Sequence, residues 1–407
     1  MKEKIYKKPE LLAPAGDWSM LNAAINSGAD AVYFGVDNLN MRATAENFKI
    51  TDLPEIVSLC KKHNVSTHLT LNTIIYENEL EKVDEIILAA KSAGIDMIIC
   101  WDLSVISKCK EHGMPFCIST QASVSNSGSA KFYKDLGAKR IVLARECTLD
   151  KIMDIKSKVD VEIETFVHGA MCIAVSGRCF MSHDVFGKSA NRGECIQPCR
   201  REYEITDKDE GHSMILGEDY VLSPKDLCTV DFLDKLIEAN IDSFKIEGRK
   251  RSPEYIAKTV SVYRKAIDLY FEDKLTEEVK LEFVEELKKV YNRGFSPGFY
   301  LGKPGSESYA AIYGSKAVTR KVYLGKVLNY YKKTNIVNVR IETGTLSRGE
   351  VGYIIGNTTG VVEFKVDKMM KDEEELTSAG KGADVTFACS EKVRENDKVY
   401  KIVGVDR

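Results

Sequence analysis

Through roughly the first 250 residues one arrangement of apolar and polar positions recurs: an amphipathic helical stretch, a glycine or asparagine stop, then a short apolar run. Ser27-Gly28-Ala29-Asp30 precedes Ala31–Gly35, and Ala93-Gly94-Ile95-Asp96 precedes Met97–Cys100. Leu136-Gly137-Ala138-Lys139 precedes Arg140–Leu143, and Ala239-Asn240-Ile241-Asp242 precedes Ser243–Ile246. The glycine or asparagine takes the left-handed conformation that ends a helix. The unbroken apolar run behind it suits a strand buried on both faces of a parallel sheet. Eight such strands are predicted: Leu11–Ala13, Ala31–Val36, Val65–Leu71, Met97–Cys100, Phe116–Thr120, Arg140–Ala144, Val161–Val167 and Ser243–Ile246. Eight strands alternating with helices give an α/β fold of the closed, TIM-like (β/α)8 type. A doubly wound open sheet is the structural alternative, but no dinucleotide glycine fingerprint follows the first strand. Ala13-Pro14-Ala15-Gly16-Asp17 reads instead as a tight turn with Asp17 as helix cap.

The rhythm breaks after the seventh strand. From His168 to Ser243 the connection is far longer than an ordinary crossover, and excursions of that size are usually functional. Its cysteine-rich part, about residues 169–230, closes with Leu222-Ser223-Pro224-Lys225-Asp226-Leu227-Cys228. Ser223 as cap, Pro224 at the first helical position and Asp226 completing the box predict a helix there. Cys228 then falls in the second turn, near the positive end of the dipole, where thiolate is favoured. Beyond the barrel, Ser252-Pro253-Glu254 opens a long helix and a second helix runs from about Glu277 to Tyr291. Near Val318 the pattern changes to alternation: Val322–Tyr330, Ile336–Thr343, Gly352–Ile355, Val361–Val366, Ala383–Phe387 and Lys398–Ile402. A barrel domain over 1–315 followed by a small β-barrel domain over 316–407 is expected. The turns Leu346–Glu350 and Arg394–Lys398 resemble those of the translation-factor domain II barrel, a likeness of fold only.

In such a barrel the chemistry sits at the carboxyl ends of the strands. Those ends carry Asn72, Asp102, Gln121, Arg145 with Glu146, His168, and the run Lys245-Ile246-Glu247-Gly248-Arg249. On the seventh strand Glu164, Phe166 and His168 are expected to share one face. The chain has 11 cysteines. Cys60, Cys100, Cys109, Cys117, Cys147 and Cys389 lie in apolar segments and read as small buried hydrophobes. Cys172, Cys179, Cys195, Cys199 and Cys228 lie among glycines and polar residues, where sulfur has little core to fill. No Cys-x-x-Cys hook of the zinc type occurs, whereas iron–sulfur clusters accept scattered thiolates.

Composition narrows the classes. Apolar content of 44% and charged content of 29% are ordinary for a globular chain, and a net charge of -3 supplies no global field for nucleic acid. RNA contact would fall to local groups: Arg200-Arg201, Arg249-Lys250-Arg251 and Lys332-Lys333. Met1–Pro9 has charge without an apolar core, unlike a signal peptide, and no run reaches membrane-spanning length, so a cytoplasmic chain without membrane partners is expected.

The stretch Glu164–Ser182 resembles the signature of peptidase family U32, the collagenase-like proteins. The likeness continues in Glu10–Gly16, Ser119-Thr120-Gln121, Leu143–Glu146, Phe244–Arg249, Asn292–Phe295 and Gly298–Gly302. Within that family the chain is most similar to the tRNA uridine hydroxylation group. The resemblance implies oxygen-independent hydroxylation of the wobble uridine to 5-hydroxyuridine, a 4Fe-4S cluster, prephenate as hydroxyl donor, and tRNA and a paralogous U32 subunit as candidate partners. It makes Cys172, Cys179 and Cys195 cluster ligands, with Cys228 preferred as the fourth and Cys199 as the alternative. Gln121, Arg145, Lys245 and Arg249 are the candidate substrate-binding groups, with arginine suited to carboxylates. His168, Glu146 and Glu247 are the candidate proton carriers. Two other classes stand beside this one: a U32 peptidase, for which neither His-Glu-x-x-His nor Gly-x-Ser-x-Gly is present, and a non-catalytic RNA-binding protein.

Overall fold

The structure, a computed structural model, describes residues 6–37, 39–43, 46–201, 203–216, 222–310 and 314–405. All eight expected strands form: β1 (Glu10–Pro14), β2 (Ala31–Phe34), β3 (Ser66–Thr70), β4 (Met97–Cys100), β5 (Phe116–Ile118), β6 (Arg140–Val142), β7 (Glu162–Gly169) and, after the long excursion, Ser243–Ile246. Each pairs in parallel with its neighbour, and the last strand bonds both β1 and β7, which closes the barrel and excludes the open sheet. Helices α1 (Trp18–Asn26), α2 (Leu53–Lys62), α3 (Leu80–Ala93), α4 (Leu103–Glu111), α5 (Ser127–Asp135) and α6 (Leu149–Lys158) fill the crossovers. Asp17 caps α1 through the Met20 amide, as expected.

The lumen is not wholly apolar. Arg140 reaches Glu10, Glu162 and Glu164, and the Lys245 ammonium bonds Glu164 Oε1 at 2.8 Å, with Glu164 fully buried. A buried charge survives only when paired and hydrogen-bonded, and this ladder supplies both.

The excursion contains helix α7 (Met181–Phe186), a hairpin of β8 (Tyr203–Thr206) and β9 (Ser213–Leu216), and strand β10 (Asp226–Cys228). The helix expected at Ser223–Cys228 is not there. Pro224 makes an isolated bridge with Tyr309, and β10 runs antiparallel to the end of β7, pairing Leu227 with Gly169 and Cys228 with His168. Open backbone groups at the end of β7, together with Arg293, outweigh the local capping signal. Arg293 is fully buried and donates from Nη2 to Asp226 Oδ1 at 2.8 Å. Helix α8 (Leu233–Glu238) leads to the eighth barrel strand, β11 (Ser243–Ile246). Helices α9 (Pro253–Phe271) and α10 (Glu277–Lys288) follow, with β12 (Phe295–Ser296) parallel to β10.

The six expected C-terminal strands are found: β13 (Thr319–Tyr331), β14 (Ile336–Ile341), β16 (Val351–Gly356), β17 (Gly360–Lys365), β21 (Asp384–Ala388) and β22 (Lys398–Gly404). Four three-residue strands join them: β15 (Thr345–Ser347), β18 (Met369–Lys371), β19 (Glu374–Leu376) and β20 (Ser378–Gly380). Eight of the ten make one antiparallel sheet from β17 to β19, with β15 and β20 paired apart, around a core of its own. Among the described residues the pairing does not close into a ring. This sheet leans on the barrel through α1: Asn22 donates to the Asn357 carbonyl at 2.8 Å, and Gly360 has φ +71 with only 2.8 Å between a would-be Cβ and the Ala23 nitrogen. Among the described residues no helix is long and apolar enough to cross a membrane.

Removing Asp226 leaves the Arg293 guanidinium buried and unpaired. Asp226→Ala should cost roughly 3–5 kcal/mol of stability, read from the urea midpoint, while the double change Asp226→Leu/Arg293→Met should recover most of it.

Candidate active site at the barrel mouth

Side chains from six barrel strands and their ends, from the loop after β2 and from the excursion meet in a cavity of about 80 Å³ at the carboxyl rim. Its floor is Tyr33, Thr70, Val142, Phe166 and Lys245; its walls include Asn72, Gln121, Arg145, Glu247 and Arg249. Gln121, Arg145, Lys245 and Arg249, the four expected substrate-binding residues, are therefore brought together. Gln121 is buried and accepts from Ser119 Oγ, which in turn accepts from Asn72 at 3.3 Å.

Four cations face this space, and their partners differ. Lys245 is held from beneath by Glu164 and lies 4.4 Å from the Tyr33 ring centre. Arg42 pairs with Glu247 at 2.7 Å. Burial would push the Glu247 carboxyl up, but Arg42 and Arg251 outweigh it and hold its pKa at about 2. In that arrangement Glu247 is a counter-ion, ill-suited to carry protons at neutral pH. Arg249 is buried and donates only to neutral oxygens, Asn40 Oδ1 at 3.0 Å and Thr70 Oγ1 at 2.9 Å. Burial lowers its pKa to about 10. The Arg145 guanidinium lies 3.8 Å over the Phe166 ring centre and donates to the Ala170 carbonyl, and its Nε is buried without a partner. Among the described residues no carboxylate comes within ion-pair distance of Arg145 or Arg249. Two uncompensated guanidiniums in a small cavity form a receptor for an anion.

A second cavity, about 100 Å³, lies against the first and shares Met41, Arg42, Cys172 and Gly177 with it. Cys172, Cys179, Cys195 and Cys199 all line it, with Arg42, Arg200 and Lys250. The excursion is stapled over the mouth to make this space. Arg192 grips Glu79, Arg200 donates to the Pro224 carbonyl at 2.8 Å, Lys250 donates to the Cys195 carbonyl at 3.2 Å, and Asn191 accepts from the Cys179 amide at 2.9 Å. Gly193, at φ +88, lets the chain pass where a Cβ would sit 2.3 Å from the Asn40 carbonyl. Among the described residues, the only three metal-ligating groups with ligand atoms within 4.8 Å of one another are Glu10, His68 and Glu164. Arg140 and Lys245 already stand beside that trio as counter-ions. No three of the four thiols are that close. The four line one cavity with Arg42, Arg200 and Lys250, and an all-thiolate donor set beside cations has the chemistry to hold an anionic iron–sulfur centre.

Four of the expected residues lie elsewhere. His168 lines neither cavity. A register shift at Lys245/Ile246 sets Phe166 opposite Lys245 and His168 opposite Ile246, so Val167 is the extra residue. The bulge reverses the alternation that would have put His168 on the face of Glu164 and Phe166. Its ring packs among Tyr255, Tyr263 and Phe295, and burial lowers its pKa to about 4. Cys228 sits on β10 behind the same ring, 3.8 Å from the Tyr263 hydroxyl, with burial raising its pKa to about 12; it does not line the thiol cavity, and Cys199 does. Glu146 is exposed on the outer side of the rim and lines neither cavity. Asp102 is the cap of α4, bonded to the Ser104 amide. Sequence reading also passed over Arg42, Tyr33 and Thr70. Arg42 lies in irregular chain after β2, which carries no strand-end signal, although its place on the rim follows once β2 is counted.

A closed (β/α)8 barrel with a basic cavity at the carboxyl rim, capped by a cysteine-bearing excursion, defines a barrel enzyme. The chain belongs to peptidase family U32, whose family model matches residues 16–310. It is 42% identical over 401 residues to an uncharacterized protease of Methanocaldococcus jannaschii, covering 96% of this chain and 97% of the relative. It is 39% identical over 404 residues to a protein of Porphyromonas gingivalis named collagenase, covering 96% and 97%. It is 38% identical over 388 residues to tRNA hydroxylation protein P1 of Bacillus subtilis, covering 93% and 91%.

The buried His168 has a thermodynamic consequence. Its folded pKa of about 4 lies below the unfolded value of about 6.5, so the unfolded chain binds the extra proton between them. Stability is expected to be full above about pH 6.5 and to fall by roughly 3 kcal/mol as pH drops to 4 from this group alone. Denaturant midpoints at a series of pH values should show that slope, reduced by one proton in His168→Phe.

Proposed function

We propose that this chain is an oxygen-independent RNA hydroxylase acting on the wobble uridine of tRNA to give 5-hydroxyuridine. In this reading prephenate donates the hydroxyl and a 4Fe-4S cluster is held by Cys172, Cys179, Cys195 and Cys199. The observation that carries the reading is the shared wall between the four-thiol cavity and the basic mouth, with Cys172 and Arg42 belonging to both. The relative named tRNA hydroxylation protein P1 supports the choice of substrate. When bound, such a cluster supplies a Lewis-acidic iron and one-electron chemistry that side chains lack.

The chain's own residues supply binding and order. Arg249 and Arg145 have donors aimed into the mouth and no carboxylate partner, so they hold the two carboxylates of the donor by charge-assisted bonds. Lys245, neutralised from below by Glu164, offers a weaker third contact, and Gln121 offers an amide to a neutral oxygen or to the base. Glu247 keeps Arg42 extended between the cavities. A uridine enters only when unstacked, because its C5 edge is covered in a helix.

The peptidase reading draws on the collagenase and protease names alone. Its best nucleophile–base pair, Cys172 with His168, is separated by the aromatic packing that seals the histidine. Gelatin cleavage by pure chain that survives iron chelation would favour it.

Protein prepared without air should contain four iron and four acid-labile sulfide per chain by the 4Fe-4S stoichiometry. Cys172→Ser and Cys199→Ser should lose both, and tRNA from cells relying on either variant should lack 5-hydroxyuridine by mass spectrometry; Cys228→Ser should retain both. Hydroxyuridine persisting in Cys172→Ser would sink the proposal. Arg249→Ala should raise the KM for the donor by roughly 10- to 100-fold, the worth of one lost charge-assisted contact.

A further inference from the structure

The excursion's outer face is unlike the rest of the surface. Phe180, next to Cys179 in the chain, is 66% exposed, and Val175, Val185, Phe186 and Ile196 of the same excursion are exposed as well. Exposed apolar groups in a contiguous patch mark an interaction site. Two aromatics of this region have guanidiniums over their rings: Arg201 lies 4.3 Å from the Phe186 ring centre, and Arg192 lies 4.6 Å from that of Tyr76, itself 54% exposed on the loop after β3. From Cys172 to Arg201 the chain has five basic residues against Asp184 and Glu194, although the whole chain is at -3. With Arg200 lining the thiol cavity and Arg192 paired to Glu79, the exposed Arg178, Lys188 and Arg201 are the cations of the outer face.

We propose that this face, centred on Phe180, is a landing surface for single-stranded RNA, on which a base neighbouring the reactive one stacks while the backbone follows the arginines. The inference rests on the RNA reading above and adds to it the surface that receives the loop. Charge decides the occupant. A local excess of positive charge on a negative chain suits a polyanion, and planar rings topped by guanidiniums are the platforms on which unpaired bases stack. A duplex offers no free base faces, so the surface selects loops. Phe180 is largely exposed and lines neither cavity, which separates recognition from catalysis.

The test uses the full chain prepared without air, a fluorescein-labelled anticodon stem–loop with uridine at the wobble position, and a blunt RNA duplex. Wild type should bind the stem–loop more tightly than the duplex. Phe180→Ala should weaken stem–loop binding by roughly five- to hundred-fold, the worth of one base–aromatic stack. It should keep its iron content and its unfolding midpoint, with KM for RNA raised and kcat unchanged. Phe180→Trp should restore binding, and Arg201→Ala should lower the slope of log K against log salt by about 0.7. Unchanged RNA affinity in Phe180→Ala overturns the surface and leaves the hydroxylase reading standing. So does equal affinity for the duplex, or a change of oligomeric state in Phe180→Ala with RNA affinity intact, which would make the patch a protein interface. An iron-bearing wild type that neither binds nor hydroxylates the stem–loop overturns the functional reading itself.

Discussion

Two buried carboxylates, Glu164 and Glu247, are shared among the four cations of the barrel mouth, and that allocation determines what the cavity can hold. Glu164 is spent on Lys245 and Arg140; Glu247 is spent on Arg42. Arg145 and Arg249 are left with carbonyl, amide and hydroxyl oxygens, which satisfy geometry without cancelling charge. A buried guanidinium without a counter-ion is costly, and the barrel tolerates it here because surrounding elements fix both side chains in place. An anion bound between them would recover that cost, so binding strength and folding strain would be two sides of one arrangement.

Strand β7 joins that cavity to the thiols. Its first half faces the lumen and supplies Glu164 and Phe166; past the bulge at Val167 it turns His168 outward and runs on to Gly169, where β10 returns alongside it. Without the return, the chain between Gly169 and Asp226 would be a long loop rooted at one end. With it, both ends of the excursion are fixed to the same strand, and the Arg293–Asp226 pair locks the second end from behind. The four cysteines are therefore suspended over the rim from two anchored points.

Much of this was legible in the sequence. The barrel strands stand out because a buried parallel strand is uniformly apolar and a helix stop precedes it, and both signals are local. The C-terminal strands stand out through alternation. The four three-residue strands there are too short to show a period. The misreadings share a cause. Ser223-Pro224-Lys225-Asp226 is a sound helix opening considered alone, but the partner strand that overrides it is some sixty residues earlier in the chain, at His168 and Gly169. Period-two reasoning places His168 in the lumen, and one inserted residue reverses it. The helix expected to carry Cys228 is a strand instead, and it is Cys199 that lines the cavity with the other three thiols. Arg42 was missed because irregular chain has no pattern to read. Of the candidate site, the residues at regular strand ends came through, and those that depend on a bulge or on long-range pairing did not.

The two cavities differ in how they are made, and the difference bears on how the site assembles. Around the mouth, Tyr33, Thr70, Phe166 and Lys245 sit on central barrel strands within the main core, so the anion receptor is built by the same burial that folds the domain. The thiol cavity rests on short helical turns held by side-chain bonds to carbonyls and to Glu79, with little apolar core beneath. Loops of that kind open at a lower free energy than the barrel does. Thiolate ligation to a shared centre would add its binding free energy to just these contacts, since ligand capture and loop order are thermodynamically linked. The barrel thus stands by its own packing, while the excursion reaches its working arrangement together with what it binds. On the proposed reading, the exposed phenylalanine and arginines on its outer face would become a fixed surface once the sulfurs behind them were engaged, which would order cofactor before RNA.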